Sequence, residues 1–225
     1  MTVSFRESGD PTGPAAVLLH GGSSSSATWG RLAAALAAAG RRVIAADLRG
    51  HGSSSRARDY PLAGYSDDIR GLLDALGIGS IALTGHSLGG YAASVLAQRE
   101  PGRITRLVLE EPGMPARARS MPGPRLALPA LAGLAVRRGY DRRAVISAVR
   151  QLRVPDPAWW ARLPLITATT LLISGGPASH IPPSQLAEMA QLIPHCSVVT
   201  IPAGHRVHSR RPEQFLAAAV PFLTA

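Results

Sequence analysis

Short apolar runs alternate along the chain with longer stretches that are amphipathic or rich in alanine. The apolar runs predict buried strands at Ala16–His20, Arg42–Ala46, Ile81–Thr84, Leu107–Leu109, Thr170–Ser174 and Val198–Ile201. The stretches between them predict helices at Trp29–Ala39, Ser66–Leu76, Gly89–Arg99, Pro183–Leu192 and Pro212–Leu223. Strands that are apolar almost throughout are typical of a parallel sheet covered on both faces. The alternation therefore predicts an α/β fold with a doubly wound, mostly parallel sheet.

One stretch interrupts this alternation. From Pro112 to about Leu165 no strand is predicted, and Pro, Leu, Ala and Arg dominate. We expect a core formed by residues 1–111 and 166–225 and a small helical insertion at residues 112–165. Because the insertion follows a sheet strand, it should lie over the carboxyl ends of the strands, where open α/β sheets bind ligands. The sequence therefore predicts a lid.

The composition fits a single soluble globular domain. The chain has 225 residues, of which 46% are hydrophobic, and its one cysteine, Cys196, cannot form an internal disulfide. No apolar run reaches the roughly 20 residues of a membrane span. The first residues lack the basic start and apolar run of a secretory signal. We expect a cytoplasmic protein without a membrane span.

The net charge of +10 raises the question of anionic partners. All 24 basic residues are arginine, against 14 acidic residues. Nucleic acid is not expected as a partner, because aromatic residues make up only 4% of the chain and no zinc spacing, RNP motif or recognition helix is present.

The positive charge is concentrated in the insertion, where ten arginines face two aspartates and contribute +8 of the total. These arginines are Arg117, Arg119, Arg125, Arg137, Arg138, Arg142, Arg143, Arg150, Arg153 and Arg162. A solvated helical face would explain them. The alternative is a surface for an anionic partner, either a carboxylate- or phosphate-bearing substrate or an acidic acyl-carrier protein that presents a thioester.

The sequence Gly85-His86-Ser87-Leu88-Gly89 follows a predicted strand and precedes a predicted helix. This is the G-x-S-x-G pattern in the context that it requires. The sharp turn from strand to helix holds the serine in a strained conformation and exposes its hydroxyl, and the small flanking residues leave room for the turn. Ser87 is therefore the candidate nucleophile, which needs a base and a site for the developing negative charge.

Two further loops supply candidates for these roles. His20-Gly21-Gly22 follows the apolar residues Ala16–Leu19 of the first predicted strand. The two glycines allow backbone N–H groups to point at an oxyanion, together with the N–H of Leu88. His205 follows the predicted strand Val198–Ile201 and can reach over the sheet as the general base. His208, three residues later, is the alternative base and is otherwise solvated or structural.

With these motifs the chain resembles the α/β-hydrolase family over nearly its whole length. The matching segments, in the order of the family, are His20-Gly21-Gly22, Asp47-Leu48-Arg49-Gly50-His51-Gly52-Ser53, Gly85-His86-Ser87-Leu88-Gly89-Gly90 and Gly204-His205. The resemblance implies a nucleophilic Ser87, a catalytic His205, an oxyanion hole from the backbone of Gly22 or Ser23 and of Leu88, and a lid. It also implies that no cofactor is required and that Asp47 and Arg49 shape their loop.

The acid of the triad departs from the family pattern. Most members carry it after the strand that here is Leu171-Leu172-Ile173-Ser174, but no carboxylate follows that strand before Glu188. Some members place it after the strand that follows the nucleophile helix, and here that strand ends in Glu110-Glu111. We favour Glu111, which lies further out, immediately before the turn at Pro112. The alternatives are Glu110, a site without a third member, and Ser179 or His180 bridging through water.

Three further residues are candidates for substrate binding: His86 beside the nucleophile, and Trp159 and Trp160 in the insertion. The alternative for each is a packing role. The seven histidines form no H-E-x-x-H or comparable ligand set, so no metal site is expected. Cys196 is expected to have no catalytic role.

These features predict a serine hydrolase that cleaves a small-molecule carboxylic ester or thioester by acyl transfer. One alternative is other chemistry on the same scaffold, namely C–C bond hydrolysis, lactonisation or a cofactor-free cyclisation in a biosynthetic pathway. Another is a ligand-binding protein that has lost turnover, a reading favoured by the missing acid. Ser at position 87 argues against dehalogenase and epoxide hydrolase chemistry, which use an aspartate there.

Overall fold

The computed structural model describes residues 1–117 and 139–225, which contain a seven-stranded sheet. The strands are β1 Phe5–Gly9, β2 Ala15–Leu19, β3 Arg42–Ala46, β4 Ile81–His86, β5 Ile104–Glu110, β6 Thr169–Ser174 and β7 Cys196–Thr200. Their order is β1-β3-β2-β4-β5-β6-β7, with β1 antiparallel to β3 and all other neighbours parallel. The predicted doubly wound, mostly parallel α/β fold is confirmed.

Helices cover both faces of the sheet. They are α1 Gly30–Ala38, α2 Leu62–Ala75, α3 Leu88–Arg99, α4 Arg142–Leu152, α5 Pro157–Ala161, α6 Pro183–Leu192, α7 Val207–Arg210 and α8 Pro212–Thr224. Leu73 of α2 and Leu96 of α3 belong to the core on one face, and Leu36 of α1 and Phe215 of α8 belong to the core on the other. The near-continuously apolar central strands are buried because they contact both cores.

The two edge strands differ from the sequence prediction. β1 was not predicted because its sequence, FRESG, has no apolar run, and four of its five residues are exposed. β7 was expected to be buried, which is wrong: it lies at the opposite edge of the sheet, and Val198 and Val199 are 42% and 37% exposed. The side chains of both edge strands are covered by helices only in part, so their sequences need no continuous apolar run.

The connection between β5 and β6 is helical in the residues that the structure describes. Asp141 caps α4, where its carboxylate accepts the N–H of Arg143, and Asp156 caps α5 in the same way through the N–H of Trp159. Side-chain caps of this kind satisfy N–H groups that have no partner within a helix. Arg119, Arg125, Arg137 and Arg138 lie outside the described residues.

Helix α4 lies against the loops at the carboxyl ends of the strands. The N–H of Asp141 donates to the carbonyl of Gly50 at 2.6 Å. A Cβ atom built on Gly22 would lie 3.6 Å from the side chain of Val145. This is where a lid is expected, and its function as a lid stays a prediction. No helix within residues 1–117 or 139–225 is long and apolar enough to span a membrane.

Candidate active site

Ser87 occupies a sharp turn between β4 and α3. Its backbone has φ 50° and ψ −113°, a left-handed φ that costs a non-glycine residue about 1–3 kcal/mol. The turn is held by hydrogen bonds from the N–H of Ser87 to the carbonyl of Glu110 at 3.0 Å and from the N–H groups of Tyr91 and Gly113 to the Ser87 carbonyl at 2.9 and 2.8 Å. The structure thus maintains the strained backbone expected of a nucleophile elbow.

The glycines on either side of Ser87 are required by close backbone approach. A Cβ atom on Gly85 would lie 2.4 Å from the carbonyl oxygen of Gly89, and one on Gly89 would lie 2.4 Å from the carbonyl oxygen of Leu19. These separations are shorter than any van der Waals contact. The pattern of small residues therefore reflects how closely β4, α3 and the end of β2 approach one another at the elbow.

Glu111 is fully buried immediately after β5, and its carboxylate faces His205. Its Oε1 accepts the N–H of Gly175 at 2.6 Å, and its Oε2 accepts the hydroxyl of Ser179. The same Oε2 lies 3.3 Å from Nδ1 of His205. The loop after β6, where the family usually carries its acid, thus supplies hydrogen-bond donors to the carboxylate that follows β5.

Glu110 faces the other side of the sheet and contacts a different histidine. Its two oxygens lie 3.0 Å from the N–H and 2.6 Å from Nδ1 of His208, whose Nε2 lies 2.7 Å from the hydroxyl of Thr28. Burial alone would raise the pKa of Glu110, but His86 and the hydrogen bonds from His208 outweigh it and hold that pKa below its ordinary value. His208 is buried, so the alternative that it is solvated is wrong.

The pairing of Glu110 with His208 was not predicted from the sequence. The available signal was the repeat itself, since two adjacent glutamates end one strand and two histidines, three residues apart, follow another. The structure pairs Glu111 with His205 and Glu110 with His208, because Glu110 is the last residue of β5 whereas Glu111 leaves the strand with a φ of 46°.

Backbone N–H groups near the elbow are candidates for an oxyanion hole. Leu88 is the first residue of α3, so its N–H has no acceptor within the helix. The N–H of Ser23 donates to Nε2 of His51 at 3.3 Å, whereas no acceptor for the N–H of Gly22 is found among the described residues. Of Gly22 and Ser23, Gly22 is therefore the residue whose N–H group is available to an oxyanion.

Buried polar side chains hold the loops around this site. Nδ1 of His20 lies 2.7 Å from the carbonyl of Gly21, and its Nε2 accepts the N–H of Leu48 at 3.0 Å. Asp47 accepts the N–H groups of Ser26 and Ser53 at 2.7 and 2.9 Å. Arg49, the other residue of this motif, forms a bidentate ion pair with Asp68 at 2.6 and 2.7 Å. The contacts of His20 and Asp47 connect the loops after β2 and β3, and the contact of Arg49 connects the second of these loops to α2.

His86 lies between the loop after β2 and the loop that carries His205. Its Nε2 donates to the carbonyl of His205 at 2.7 Å, and a Cβ atom on Gly21 would lie 2.5 Å from its Nδ1. The ring is 5% exposed, and burial lowers its pKa to about 3. The centroid of the His180 ring lies 3.9 Å from the centroid of the His205 ring. The role of His86 in substrate binding stays a prediction.

Both tryptophans of the insertion are buried and hydrogen-bonded. The Trp159 indole donates to the hydroxyl of Ser94 in α3 at 3.2 Å, and the Trp160 indole donates to the carbonyl of Pro115 at 2.9 Å. Trp159 is 0% exposed and belongs to the same core as α3. These are the contacts of the packing alternative, and substrate binding by either residue stays a prediction.

Burial of neutral histidines makes stability depend on pH. Burial lowers the pKa values of His20 and His86 to about 3 in the folded protein, against about 6.5 in an unfolded chain. Between these values the unfolded state binds more protons, so the free energy of unfolding falls as the pH drops below about 6.5. Each histidine contributes a slope of roughly 1.4 kcal/mol per pH unit in this range.

We therefore expect the urea midpoint to fall markedly between about pH 7.5 and pH 5, measured by tryptophan fluorescence. The slope is expected to decrease in a His20→Gln variant and to be retained in a His195→Gln variant, because His195 is exposed. A midpoint that stays constant over this range would contradict the assignment of His20 and His86 as buried neutral groups.

Comparisons with known proteins place this arrangement in a family. The sequence profile described as alpha/beta hydrolase fold matches residues 14–148, more than half of the chain. The chain belongs to the α/β-hydrolase family. It is 29% identical over 253 aligned positions to the sn-1-specific diacylglycerol lipase ABHD11 of Mus musculus, covering 96% of this chain and 82% of that protein.

Two further relatives support the same family. A putative carbamate hydrolase, RutD, of Variovorax paradoxus is 40% identical over 111 residues, which are 48% of this chain and 42% of that protein. The crystal structure of a hydrolase from Pseudomonas aeruginosa superposes with a TM-score of 0.85 at 26% identity and covers 99% of this chain and 94% of that chain. This α/β-hydrolase is accordingly an enzyme of hydrolase type.

Proposed function

We propose that the protein is a serine hydrolase that cleaves a carboxylic ester or thioester by acyl transfer. The observation that carries the proposal is the contact of His205 with the buried, hydrogen-bonded Glu111, on the same edge of the sheet as the strained Ser87. A serine with a strained backbone and an imidazole oriented by a carboxylate are the parts that acyl transfer requires. An ester-cleaving relative, the mouse diacylglycerol lipase, supports the same chemistry.

In the proposed mechanism, Ser87 Oγ attacks the carbonyl carbon while Nε2 of His205 removes its proton. Glu111 accepts Nδ1–H of His205, keeps the imidazole in the required tautomer and stabilises the imidazolium that forms. The N–H groups of Leu88 and Gly22 receive the oxyanion. His205 then protonates the departing alcohol or thiol. In the second half of the reaction His205 removes a proton from water, the water attacks the acyl-enzyme, and the carboxylic acid leaves as Ser87 Oγ takes the proton back from His205.

No step of this mechanism needs a cofactor, and no group of three or more histidine, cysteine or acidic side chains within the described ranges could hold a metal ion. The alternative of a binding protein depended on a missing acid. The contact between Glu111 and His205 supplies a candidate for that acid, so the reason for preferring the alternative is gone.

A panel of p-nitrophenyl esters of increasing acyl length, with an acyl thioester added, tests the proposal. We expect turnover of at least one of these substrates, unchanged by EDTA, and the dependence on acyl length measures the acyl pocket. A protein that binds such acyl compounds but turns over none of them would overturn the proposal in favour of the binding alternative.

A further inference from the structure

A cleft lined by arginines lies between helix α4 and the loop that leads into α2. Its volume is about 540 Å³. The lining residues are Arg58, Asp59, Tyr60, Arg143, Ile146, Ser147, Arg150 and Gln151. We call it the arginine cleft. It belongs to the basic insertion and its neighbouring loop, and every lining residue is within the described part of the chain.

The arginine cleft has guanidinium groups to offer to a ligand. Arg58 and Arg150 are exposed, and neither forms an ion pair with another described residue. Arg143 is held by a 2.7 Å contact with Asp141 and lowers the pKa of that carboxyl group to about 2, so the pair stays charged. Among the described residues, the unpaired Arg58 and Arg150 are therefore the cations available to a ligand, beside the paired Arg143, and Asp59 is the only carboxylate among the lining residues.

The polar groups on the floor of the cleft are already occupied. The amide of Gln151 and the hydroxyl of Ser147 donate to the carbonyl of Tyr60 at 2.8 and 3.1 Å, and the Tyr60 hydroxyl donates to Asp141 at 2.8 Å. Together with the apolar side chain of Ile146, they leave the guanidinium groups as the main recognition elements. Planar guanidinium groups bind phosphate oxygens through paired hydrogen bonds.

The same helix separates the arginine cleft from the candidate active site. On its inner side, Val145 faces Gly22, and a Cβ atom on Gly113 would lie 3.0 Å from Leu152. Gly113 in turn donates to the carbonyl of Ser87. An α-helix with its side chains is roughly 10–12 Å across. An anion held on the outer side is therefore at least one helix diameter, roughly 10–12 Å, from the inner side of α4, and an arm that joins it to the reacting carbonyl passes around the helix.

We propose that the arginine cleft binds a phosphate carried by the leaving group of the substrate. This rests on the proposed acyl-transfer function. The substrate class is then an ester or thioester whose alcohol or thiol bears a phosphate at the end of a flexible arm. Water cleaves the acyl bond, the acyl group leaves as a carboxylic acid, and the phosphate-bearing thiol or alcohol leaves with the proton from His205.

The test compares two thioesters with the same acyl group. Butyryl-coenzyme A carries phosphates, and butyryl-N-acetylcysteamine has the same reactive group without them. The double variant Arg58→Gln/Arg150→Gln is expected to lose about tenfold in kcat/KM for butyryl-coenzyme A and to change little for the neutral thioester. The control Arg6→Gln/Arg31→Gln removes the same charge elsewhere on the surface and is expected to have no such selectivity.

A binding measurement separates this inference from the proposed function. Calorimetry of coenzyme A with the Ser87→Ala variant is expected to show binding that weakens with salt and with loss of Arg58 and Arg150. A parallel pair, a monoacylglycerol and its phosphate ester, shows whether the phosphate belongs to a lipid headgroup instead. Binding without turnover of any substrate would refute the proposed function alone. Equal effects of the two double variants on both pairs would refute the phosphate site alone.

Discussion

Replacing Ser87 by alanine is expected to lower kcat for acyl transfer by about 10⁴-fold or more. The reason is that Ser87 supplies the atom that forms the acyl-enzyme, and no neighbouring group can take its place. Alanine retains a Cβ atom, so the left-handed backbone at position 87 and its hydrogen bonds to Glu110, Tyr91 and Gly113 are expected to persist. Loss of activity without loss of folding then reports on the hydroxyl.

Covalent labelling by a fluorophosphonate provides the measurement. The unmodified protein is expected to be labelled at Ser87, and Ser87→Ala is expected to remain unlabelled. A Ser197→Ala variant serves as the control, since Ser197 is exposed on the edge strand β7. A His205→Ala variant is expected to label far more slowly, because an unassisted hydroxyl is a poor nucleophile. Labelling that persists in Ser87→Ala would refute the assignment of the nucleophile.

The central part of the fold was predictable from the sequence because its signals are local. Buried parallel strands need continuous apolar runs, and the elbow needs small residues at fixed positions around Ser87. The edges were less predictable. β1 is recognisable only through its pairing with β3, and the apolar residues of β7 indicated a strand but not that its side chains face solvent.

The sequence favours Glu111 over Glu110 only because Glu111 lies further out, before Pro112, and it leaves Glu110 open as the alternative. The choice depends on which face of the sheet each carboxylate reaches, and Glu111 leaves the strand with a φ of 46° that no residue pattern announces. The donors Gly175 and Ser179 reach Glu111 from a segment more than 60 residues away. Such contacts follow from the register of β5 with β6, which is a property of the assembled sheet.

The two glutamates also explain why adjacent carboxylates are tolerated at a buried strand end. An isolated buried carboxylate would be costly. Glu111 has Gly175, Ser179 and His205 as partners, and Glu110 has two donors from His208. Because each carboxylate has hydrogen-bond partners, both are tolerated at the buried end of β5. Glu111 contacts His205 in the candidate active site, and Glu110 contacts His208.

Replacing Glu111 by glutamine is expected to lower kcat by up to about 10⁴-fold. The fixed N–H of Gly175 requires an acceptor, so the amide oxygen is expected to take the Oε1 position. The amide NH₂ then occupies the Oε2 position and faces Nδ1 of His205. An NH₂ donor there forces the imidazole proton onto Nε2, where it blocks acceptance of the proton from Ser87.

Glu110→Gln is the matched control, because it makes the same change one residue away. Its amide is expected to alter the pairing with His208 and to reduce kcat by less than about tenfold, since His205 keeps Glu111. Both variants are compared by kcat and by urea unfolding, so that a loss of folded protein is not mistaken for a loss of catalysis. The opposite order of kcat values would make Glu110 the acid. Losses below about tenfold in both would mean that Ser87 and His205 act without a carboxylate, because an orienting acid cannot be replaced by an amide at so small a cost.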